Sequence, residues 1–389
     1  MATINRFADL HDDITAWRRD LHENPELLFD THRTSGIVAE KLREFGCDEV
    51  VEGIGRTGVV GVIHGKTNKS GKVIALRADM DALPIHETSG VEHSSKTDEK
   101  MHACGHDGHT AMLLGAATYL SETRNFDGTV IVIFQPAEEG GGGGKEMVDD
   151  GMMDRFGVQE VYGMHNYPGL KVGEFATRVG PLMAATDQFT LYVEGIGGHA
   201  ANPKACIDTT LVASHIVVAL QSIVARNTDP LESVVVSVTS FETESKAYNV
   251  IPQRVEIRGT VRTLTPETRD MAQVNVLRIV ENTALAYGAT VKIVYERGYP
   301  VTKNHAEQTA FAADIARQIV GDDMVNDKAE PVMGGEDFSY MLESRPGAFM
   351  FVGNGDTANL HHPDYDFNDD LIPFGCSYWA KLVETAMPA

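Results

Sequence analysis

The sequence predicts an α/β fold in which a mostly parallel sheet, covered by helices, is interrupted by a smaller domain. Strands rich in Val and Ile alternate with helices in the first part of the chain, the pattern changes near Pro181, and the alternation resumes after the smaller domain. Such alternation is typical of a parallel sheet with helices on both faces. The length of 389 residues also exceeds what one ordinary core needs, so two domains are expected.

The first part contains two predicted helices, then three predicted strands. The helices cover residues 4–21 and 33–45, and Gly46 ends the second one. The strands are GVVGVIHG (58–65), KVIALRADMD (72–81) and TVIVIFQPAEE (129–139). Between the last two strands, HTAMLLGAATYLSE (109–122) has the apolar spacing and the small residues of a buried helix.

The middle part predicts a separate domain at residues 183–297. Its elements follow the order β-α-β-β-α-β: DQFTLYVEG, a helix at 208–224, SVVVSVTSF, RVEIRGTVRT, a helix at 265–286 and ATVKIVYERG. Thr265 caps the second helix, and Pro266 suits its first position. This order is that of a ferredoxin-like domain. A helix at 306–320, a strand at 348–355 and a helix at 372–385 continue the first domain, which is predicted to comprise residues 1–182 and 298–389.

The composition excludes several classes of function. The chain has 56 acidic and 33 basic side chains, and its net charge of −23 disfavours nucleic acid, because phosphate binding needs clustered Lys and Arg. The N-terminal segment has no continuous apolar run, and no window approaches the roughly 18 apolar residues that a membrane-spanning helix needs. The four cysteines are scattered without a CxxC pair, which predicts reduced thiols and a cytoplasmic protein.

The segment HACGHDGHT (102–110) is the first of four that indicate a metal site. Cys104 and His106 are two residues apart, and His102 and His109 flank them. A thiolate and an imidazole at the start of a helix can bind a borderline-soft cation such as Zn²⁺ or Mn²⁺. The alternative is a buried free cysteine with solvated histidines, which the presence of three histidines in one short segment disfavours.

The second segment, FQPAEEGGGGG (134–144), places the adjacent carboxylates of Glu138 and Glu139 after an apolar strand. Adjacent side chains in an extended chain point different ways, so one carboxylate can bind a metal while its neighbour acts as a base. Two surface glutamates that cap the next helix are the alternative. The glycine run does not match a Walker phosphate-binding loop, because Gly144-Lys145 is followed by Glu146 rather than Ser or Thr.

The third and fourth segments, YGMHNYPG and NLHHPDYDFND, contribute His165 and the pair His361 and His362. A lone histidine is more often structural than ligating. A ligating role for these histidines is favoured because the thiolate and the carboxylates lie at the ends of other predicted strands. Ligand sites in open α/β sheets gather at those ends. Together the four segments predict a catalytic metal centre.

Shorter motifs supply further candidates: Asp79, Asp81, His199, Asn249, Arg262 and Glu336. The two aspartates end a strand and could orient a ligating histidine, or simply cap a turn. His199 lies in a glycine-flanked loop of the inserted domain and could stabilise an oxyanion, although by itself it is an ordinary loop residue. Asn249 and Arg262 could bind a substrate carboxylate, the alternative being a solvent-facing arginine on a strand.

These motifs form an ordered series that resembles a metallo-amidohydrolase family. The series is RADMDALP, HACGHDGHT, FQPAEEGGGG, GMHN, GGHAANP, NVIP, GTVRT, GGEDF and LHHPDYDF, and it runs from about residue 77 to about residue 370. The family is aminoacylase- and carboxypeptidase-like, and the branch is that of hippurate hydrolase, N-acyl-L-amino acid amidohydrolase and auxin-conjugate (IAA-amino acid) hydrolase. The resemblance implies a zinc-peptidase-like catalytic domain with an inserted ferredoxin-like (βαββαβ) lid domain that also mediates dimerisation.

The resemblance also implies the roles of individual residues. Carried over motif by motif, the metal ligands are Cys104, His106, Glu139, His165 and His361. The catalytic residues are Glu138 as general base, Asp79 behind the ligands and His199 at the oxyanion. His361 is preferred to His362 because the family pattern is Leu-His-x-Pro. The wider carboxypeptidase-like relatives have His-x-Asp where this chain has Arg77-Ala78-Asp79, so the ligands here shift to Cys104 and His106.

We therefore predict a cytoplasmic hydrolase that cleaves the amide bond of a small N-acyl amino acid, which is hippurate-like or carries an acetyl or indole-acetyl group. Two divalent metal ions per subunit, Mn²⁺ or Zn²⁺ with Co²⁺ or Ni²⁺ as alternatives, would activate a water with Glu138 as the base. The alternatives are a dipeptidase or N-acetyl-diaminopimelate-type deacetylase of the same family and, more distantly, a non-catalytic metal or thiol sensor. The expected partners are the substrate and a second subunit, in a homodimer or a dimer of dimers, with neither nucleic acid nor membrane.

Overall fold

The computed structural model describes residues 3–389, and the chain separates into two compact units. Unit 1 comprises the residues up to Leu182, Lys303–Glu330 and Asp337–Ala389, and unit 2 comprises Met183–Thr302 and Pro331–Glu336. The prediction ended the inserted domain at residue 297, but unit 2 extends to Thr302 and includes a short later segment. That segment belongs to unit 2 because Ala184 N–H donates to the Gly334 carbonyl at 2.8 Å, and Met183 forms an isolated β-bridge with Val332.

The chain forms eleven α-helices within the described residues. They are α1 (Arg6–Asp9), α2 (His11–Glu23), α3 (His32–Glu44), α4 (His106–Thr123), α5 (Gly143–Asp149), α6 (Met152–Arg155), α7 (Thr209–Leu220), α8 (Pro266–Ala286), α9 (Ala306–Val320), α10 (Ser339–Ser344) and α11 (Ile372–Ala386). Short 3₁₀ turns cover Pro203–Ala205, Asp322–Met324 and Asp369–Leu371, and a π-helical turn covers Ile223–Asn227.

The strands are β1 (Glu49–Ile54), β2 (Gly58–His64), β3 (Val73–Asp79), β4 (Thr129–Gln135), β5 (Glu160–Pro168), β6 (Phe175–Ala176), β7 (Gly180–Met183), β8 (Ala185–Glu194), β9 (Gly198–His199), β10 (Val234–Thr243), β11 (Val250–Ile251), β12 (Arg254–Thr263), β13 (Thr290–Arg297), β14 (Thr302–Asn304), β15 (Val325–Asn326) and β16 (Gly347–Gly355). Unit 1 contains an eight-stranded sheet in the order β1-β2-β4-β3-β5-β16-β6-β15. Its four central strands, β4, β3, β5 and β16, are parallel. At the edges β1 and β2 run antiparallel to their neighbours, as does β6 to β16. The predicted α/β class is confirmed, with antiparallel strands added outside a parallel centre.

Helix α4 is buried along almost its whole length and begins at His106, three residues before the predicted start. The reason is Gly105, whose left-handed backbone (φ +86°) turns the loop directly into the helix. A Cβ at this position would lie 2.2 Å from Asn166 Nδ2 and 2.5 Å from the Tyr365 hydroxyl. The sequence therefore brings Cys104 and His106 to the N-terminus of a rigid helix.

Buried charges fix α2 against the first turn of α4. Arg18 Nε donates to Asp107 Oδ2 at 2.9 Å, and His22 Nδ1 lies 2.8 Å from the same oxygen. Burial opposes the charged form of His22, but the neighbouring Asp107 carboxylate outweighs it and raises the pKa of His22 to about 9. These contacts hold the residue next to His106 in place.

Several elements of unit 1 were not predicted, among them β1, α5, α6 and α10. Helix α5 begins inside the glycine run, for which no separate helix was predicted. A Cβ on Gly143 would lie 1.8 Å from the Pro136 carbonyl oxygen, and one on Gly144 would lie 2.9 Å from the Asp337 carbonyl oxygen. Gly144 N–H also donates to Asp337 Oδ2 at 2.8 Å, so this N–H is not available to a phosphate. Close packing explains these glycines.

Unit 2 has the predicted ferredoxin-like order. Strands β10, β12, β8 and β13 form an antiparallel four-stranded sheet, with α7 and α8 packed on it through a shared apolar core. Thr265 caps α8, accepting from Thr268 N–H at 3.2 Å. The short strands β9 and β11 pair with each other and add to this arrangement.

The prediction that no window of the chain approaches the length and composition of a membrane-spanning helix was wrong. The helical run Thr209–Asn227 has a mean hydropathy of 1.4 over 18 residues, which by length and composition is enough to cross a membrane. A third of that window is buried, and Val212, Ile216 and Leu220 pack into the core of unit 2. A helix that packs on a sheet can have the same length and composition, so this run does not by itself indicate a membrane span.

Candidate metal centre

Five side chains that could bind metal converge in unit 1 as two groups of three that share Cys104. The first group, the histidine triad, is Cys104, His106 and His165. The second, the mixed triad, is Cys104, Glu139 and His361. Within each triad the possible ligand atoms all lie within 4.8 Å of one another. The loop before α4 supplies Cys104, α4 supplies His106 and β5 supplies His165, while the turn after β4 supplies Glu139.

Two contacts show how closely these donor atoms approach one another. Cys104 Sγ lies 3.4 Å from His165 Nε2. His361 Nε2 lies 3.3 Å from Glu139 Oε1, at ion-pair distance. His361 adopts a left-handed backbone (φ +64°), and its N–H donates to the Ala103 carbonyl at 2.7 Å, beside Cys104. His362 contacts its own turn instead, because its Nδ1 accepts from Asp364 N–H at 3.1 Å.

Hydrogen bonds at the Nδ1 atoms of His106 and His165 leave their Nε2 atoms available to a metal. When Nε2 carries no proton, His106 Nδ1–H donates to the Asp81 carbonyl at 2.8 Å and His165 Nδ1–H donates to the Asn166 carbonyl at 2.6 Å. This is the usual way in which a ligating imidazole is oriented. His106 Nε2 is buried and, within residues 3–389, has no hydrogen-bond partner, while the buried Glu139 Oε1 has only the ion-pair contact with His361 Nε2 at 3.3 Å. Buried polar atoms are rarely left unsatisfied, so sulfur, nitrogen and oxygen donors here fit a cation such as Zn²⁺ or Mn²⁺.

Asp81 fixes the turn that carries the two glutamates. Its carboxylate oxygens accept from Glu138 N–H at 2.9 Å and from Glu139 N–H at 3.1 Å. The preceding Ala137 is in the left-handed region (φ +54°), a strained conformation for a residue with a side chain and one that clusters at functional sites. A carboxylate oxygen of Glu138 lies within 4.8 Å of donor atoms of His106 and Glu139. Glu138 is therefore placed beside the ligands.

Residues 75–385 match the model of peptidase family M20/M25/M40. The chain belongs to this family. Hippurate hydrolase of Campylobacter jejuni is 42% identical over 382 residues, covering 98% of each chain. Thermostable carboxypeptidase 2 of Saccharolobus solfataricus is 44% identical over 388 residues, covering 97% of this chain and 96% of the relative. A solved structure of a dinuclear metal binding peptidase of family M20 from Bacillus subtilis is 34% identical, with a TM-score of 0.83, and the match covers 98% of this chain and 99% of that one.

Membership of family M20/M25/M40 confirms the family resemblance found in the sequence. It also confirms the class of enzyme, a metal-dependent amidohydrolase. The family match begins at residue 75, within β3, and ends at residue 385, within α11. All five donor residues of the two triads lie inside it.

Charges around the ligands favour cation binding over an empty site. Burial raises the pKa of the Cys104 thiol well above its usual value, and the carboxylates of Glu139, Glu138 and Asp79 raise it further. Burial opposes the imidazolium of His106, but Asp79 and Asp81 outweigh it and raise the pKa of His106 to about 10. A buried site with this many carboxylates attracts positive charge, which protons supply when no metal does.

Cation binding is therefore expected to be strongly pH-dependent. At neutral pH, below both raised pKa values, the Cys104 thiol and the His106 imidazolium are protonated in the metal-free protein, and both protons must leave when a cation binds. We expect about two protons to be released when the histidine triad binds its cation, and the apparent affinity of that triad to fall ~100-fold for each pH unit below 7. Calorimetric titration of chelated protein with Mn²⁺, in two buffers of different ionisation enthalpy, measures the release. Affinity that is the same at pH 6 and pH 8, without proton release, would contradict this account.

Asp79 lies near the ligands but its strong hydrogen bonds go elsewhere. Arg77 Nη1 donates to Asp79 Oδ2 at 2.6 Å, and His109 Nδ1 lies 2.6 Å from Asp79 Oδ1. Burial opposes ionisation, but Arg77 and the neighbouring histidines hold the pKa of Asp79 well below its usual range. His106 Nε2 is 3.7 Å from Asp79 Oδ2. The sequence suggested that Asp79 orients a ligating histidine, and the structure gives it a direct bond to His109, whose role the sequence did not identify.

The remaining predicted residues belong to unit 2. His199 on β9 pairs with Val250 on β11, and Ala200 N–H donates to the Asn249 carbonyl at 2.9 Å, so His199 and Asn249 are neighbours. Ala201 N–H donates to His199 Nδ1 at 3.1 Å, which leaves the proton of the exposed ring on Nε2. Arg262 is half-buried on β12 and donates to the Val261 carbonyl at 3.1 Å. Glu336 is buried, and its carbonyl accepts from the Thr302 hydroxyl at 3.2 Å.

Proposed function

We propose that this chain hydrolyses the amide bond of small N-acyl amino acids, with Glu138 as general base beside two divalent cations. The observation that supports the proposal most is the pair of donor triads that share Cys104, with Glu138 placed next to them. The histidine triad would hold one cation and the mixed triad the other. We propose Mn²⁺ or Zn²⁺ as the native metal, with Co²⁺ or Ni²⁺ as alternatives.

Bound cations would lower the pKa of a coordinated water and polarise the scissile carbonyl. The Glu138 carboxylate takes a proton from the attacking water as the water oxygen bonds to the carbonyl carbon. When the carbon–nitrogen bond breaks, Glu138 delivers that proton to the leaving amine. Two features suit Glu138 to this role: its backbone is fixed by Asp81, and the residue is only 7% exposed, so bulk water does not compete for the proton.

For unit 2 we propose substrate binding. The Nε2–H of His199 would donate to the oxyanion of the tetrahedral intermediate. Asn249, its neighbour in the structure, and Arg262 on β12 would bind the free carboxylate of the amino acid through charge-assisted hydrogen bonds. The proposal predicts that substrates without this carboxylate are hydrolysed slowly.

A substrate panel tests the proposed function. Chelated protein is reloaded with Mn²⁺, Zn²⁺, Co²⁺ or Ni²⁺ and assayed on hippurate, N-acetyl and indole-acetyl amino acids, dipeptides and N-acetyl-diaminopimelate. We expect metal-dependent hydrolysis of at least one N-acyl amino acid, and much weaker hydrolysis of its carboxamide analogue. Faster turnover of dipeptides would favour the peptidase alternative, which the 44% identity to a thermostable carboxypeptidase supports. The absence of hydrolysis with every substrate and metal would overturn the proposal.

The thiol-sensor alternative is disfavoured by the surroundings of Cys104. The thiol is 7% exposed, and burial raises its pKa well above the usual value, whereas redox-sensing cysteines are accessible and have low pKa values. A sensor would form sulfenic acid or a disulfide under mild peroxide without hydrolysing any amide. Mass spectrometry of peroxide-treated, chelated protein distinguishes these outcomes.

We also propose a cytoplasmic homodimer, or a dimer of dimers. The four cysteines are free thiols, which supports a reducing compartment. Unit 2 exposes apolar side chains on its helices: Leu211, Val218, Val274 and Leu285 are between 50% and 72% exposed. Apolar surface of this kind supports association, as do the exposed edges of the four-stranded sheet, β10 and β13. Light scattering that gives the chain mass of 42.3 kDa at micromolar concentration would contradict a dimer.

A further inference from the structure

His109 is a buried histidine of the HACGHDGHT motif that belongs to neither triad. It lies in the first turn of α4 and is only 2% exposed. Its Nε2 is 2.9 Å from the backbone N–H nitrogen of Asn166, and its Nδ1 is 2.6 Å from Asp79 Oδ1. Both ring nitrogens are therefore bonded within the protein, which distinguishes His109 from the ligating histidines.

The chemistry of these partners fixes the tautomer of His109. A backbone N–H can only donate, so Nε2 of His109 must be the acceptor of the bond from Asn166. The ring proton is then on Nδ1, where it donates to the Asp79 carboxylate. His109 is thus a rigid bridge between the end of β3, which carries Asp79, and β5, which carries Asn166.

Each end of this bridge contacts the histidine triad. The Asn166 carbonyl accepts from His165 Nδ1–H at 2.6 Å, and Asn166 Nδ2 donates to the Cys104 carbonyl at 2.6 Å. The Tyr365 hydroxyl donates to Asn166 Oδ1 at 2.8 Å and fixes the orientation of the amide. At the other end, Asp79 Oδ2 lies 3.7 Å from His106 Nε2.

The mixed triad is held by different groups. Glu139 N–H donates to Asp81 Oδ2 at 3.1 Å, and His361 N–H donates to the Ala103 carbonyl at 2.7 Å. The two triads share Cys104, whose carbonyl Asn166 contacts, but their other members have separate supports. A change at His109 should therefore affect one cation more than the other.

We propose that His109 is a positioning residue for the cation of the histidine triad, acting through Asp79 and Asn166. This inference rests on the proposed function, because it presupposes that both triads bind metal. Supports behind metal ligands typically change affinity by ~10–100-fold when they are removed. His109 orients the donor atoms of Cys104, His106 and His165 without touching substrate or metal.

Calorimetric titration with Mn²⁺ of the chelated full-length protein tests the inference. His361→Ala is the reference background, because it removes a ligand of the mixed triad and isolates binding to the histidine triad. We expect His109→Leu to weaken that binding ~10–100-fold in this background, and to leave the mixed-triad step of the otherwise unmodified protein within ~3-fold. His109→Gln, whose Oε1 can still accept from Asn166 N–H, is expected to recover part of the loss.

His102→Leu is the matched control. His102 is as buried as His109 (1% exposed) and lies on the same segment, but neither of its ring nitrogens has a hydrogen-bond partner within residues 3–389. We expect it to leave both binding steps within ~3-fold. Equal loss in His102→Leu and His109→Leu, or unchanged binding to the histidine triad in His109→Leu and His109→Gln, would overturn the inference. If the unmodified protein bound no cation, the proposed function would fail instead.

Discussion

Replacement of Glu138 by glutamine is expected to lower kcat by ~10²–10⁴-fold while both cations stay bound. Glutamine keeps the shape of the side chain and the backbone bond to Asp81, but it cannot accept and return a proton. Glu138 is outside both triads, so cation affinity should change little. Steady-state assays on the best N-acyl amino acid, with metal content measured on the same sample, test this expectation.

Glu146→Gln is the matched control for this variant. Glu146 lies on α5, shortly after the same turn, and pairs with Arg56 on the surface. Exposed ion pairs contribute little to stability, so we expect kcat within ~2-fold of the unmodified enzyme. If Glu138→Gln turned over substrate at the normal rate with its metals bound, another group would have to be the base.

Replacement of Cys104 by serine is expected to weaken the binding of both cations and to abolish hydrolysis. Cys104 belongs to both triads, and a serine hydroxyl does not ionise near neutral pH as a coordinated thiol does. We expect each affinity to fall by more than the ~10–100-fold that indirect supports cost. Elemental analysis after dialysis against a weak chelator, together with calorimetry, measures the loss.

Cys47→Ser provides the control for a change of sulfur to oxygen. Cys47 is partly buried near the Ser121 hydroxyl, 3.7 Å away, and has no part in the triads. Its replacement is expected to leave metal content and activity unchanged. Retention of one tightly bound cation in Cys104→Ser, with only the other lost, would show that the thiolate does not bridge the two triads.

Much of the fold follows from sequence patterns that report on burial. The central strands read as continuous Val and Ile runs because both faces of a parallel sheet are covered, and β3 and β4 were predicted within a few residues. Helix α5, which begins in the glycine run after β4, was not predicted, because glycine is unfavourable inside a helix. In the structure the cause of these glycines is the carbonyl of Pro136 and the carboxylate of Asp337, contacts that depend on distant segments.

The candidate site, like the fold, could be predicted only in part from local sequence. Types and spacing of residues indicated a thiolate, imidazoles and carboxylates around a metal, because these donors have few other reasons to occur together. Local sequence could not indicate that Asp79 bonds His109, or that Asn166 supports both His165 and Cys104. These bonds join β3, α4 and β5, and the distances between such elements are set by packing of the whole sheet.

Anomalous diffraction from crystals grown with Mn²⁺ or Zn²⁺ tests the central claim most directly. Two peaks are expected, one at ligand distance from His106 and His165 and the other at ligand distance from Glu139 and His361, with Cys104 Sγ bonded to both. A single peak away from Cys104, or two peaks that lack the thiolate as a shared ligand, would contradict the account.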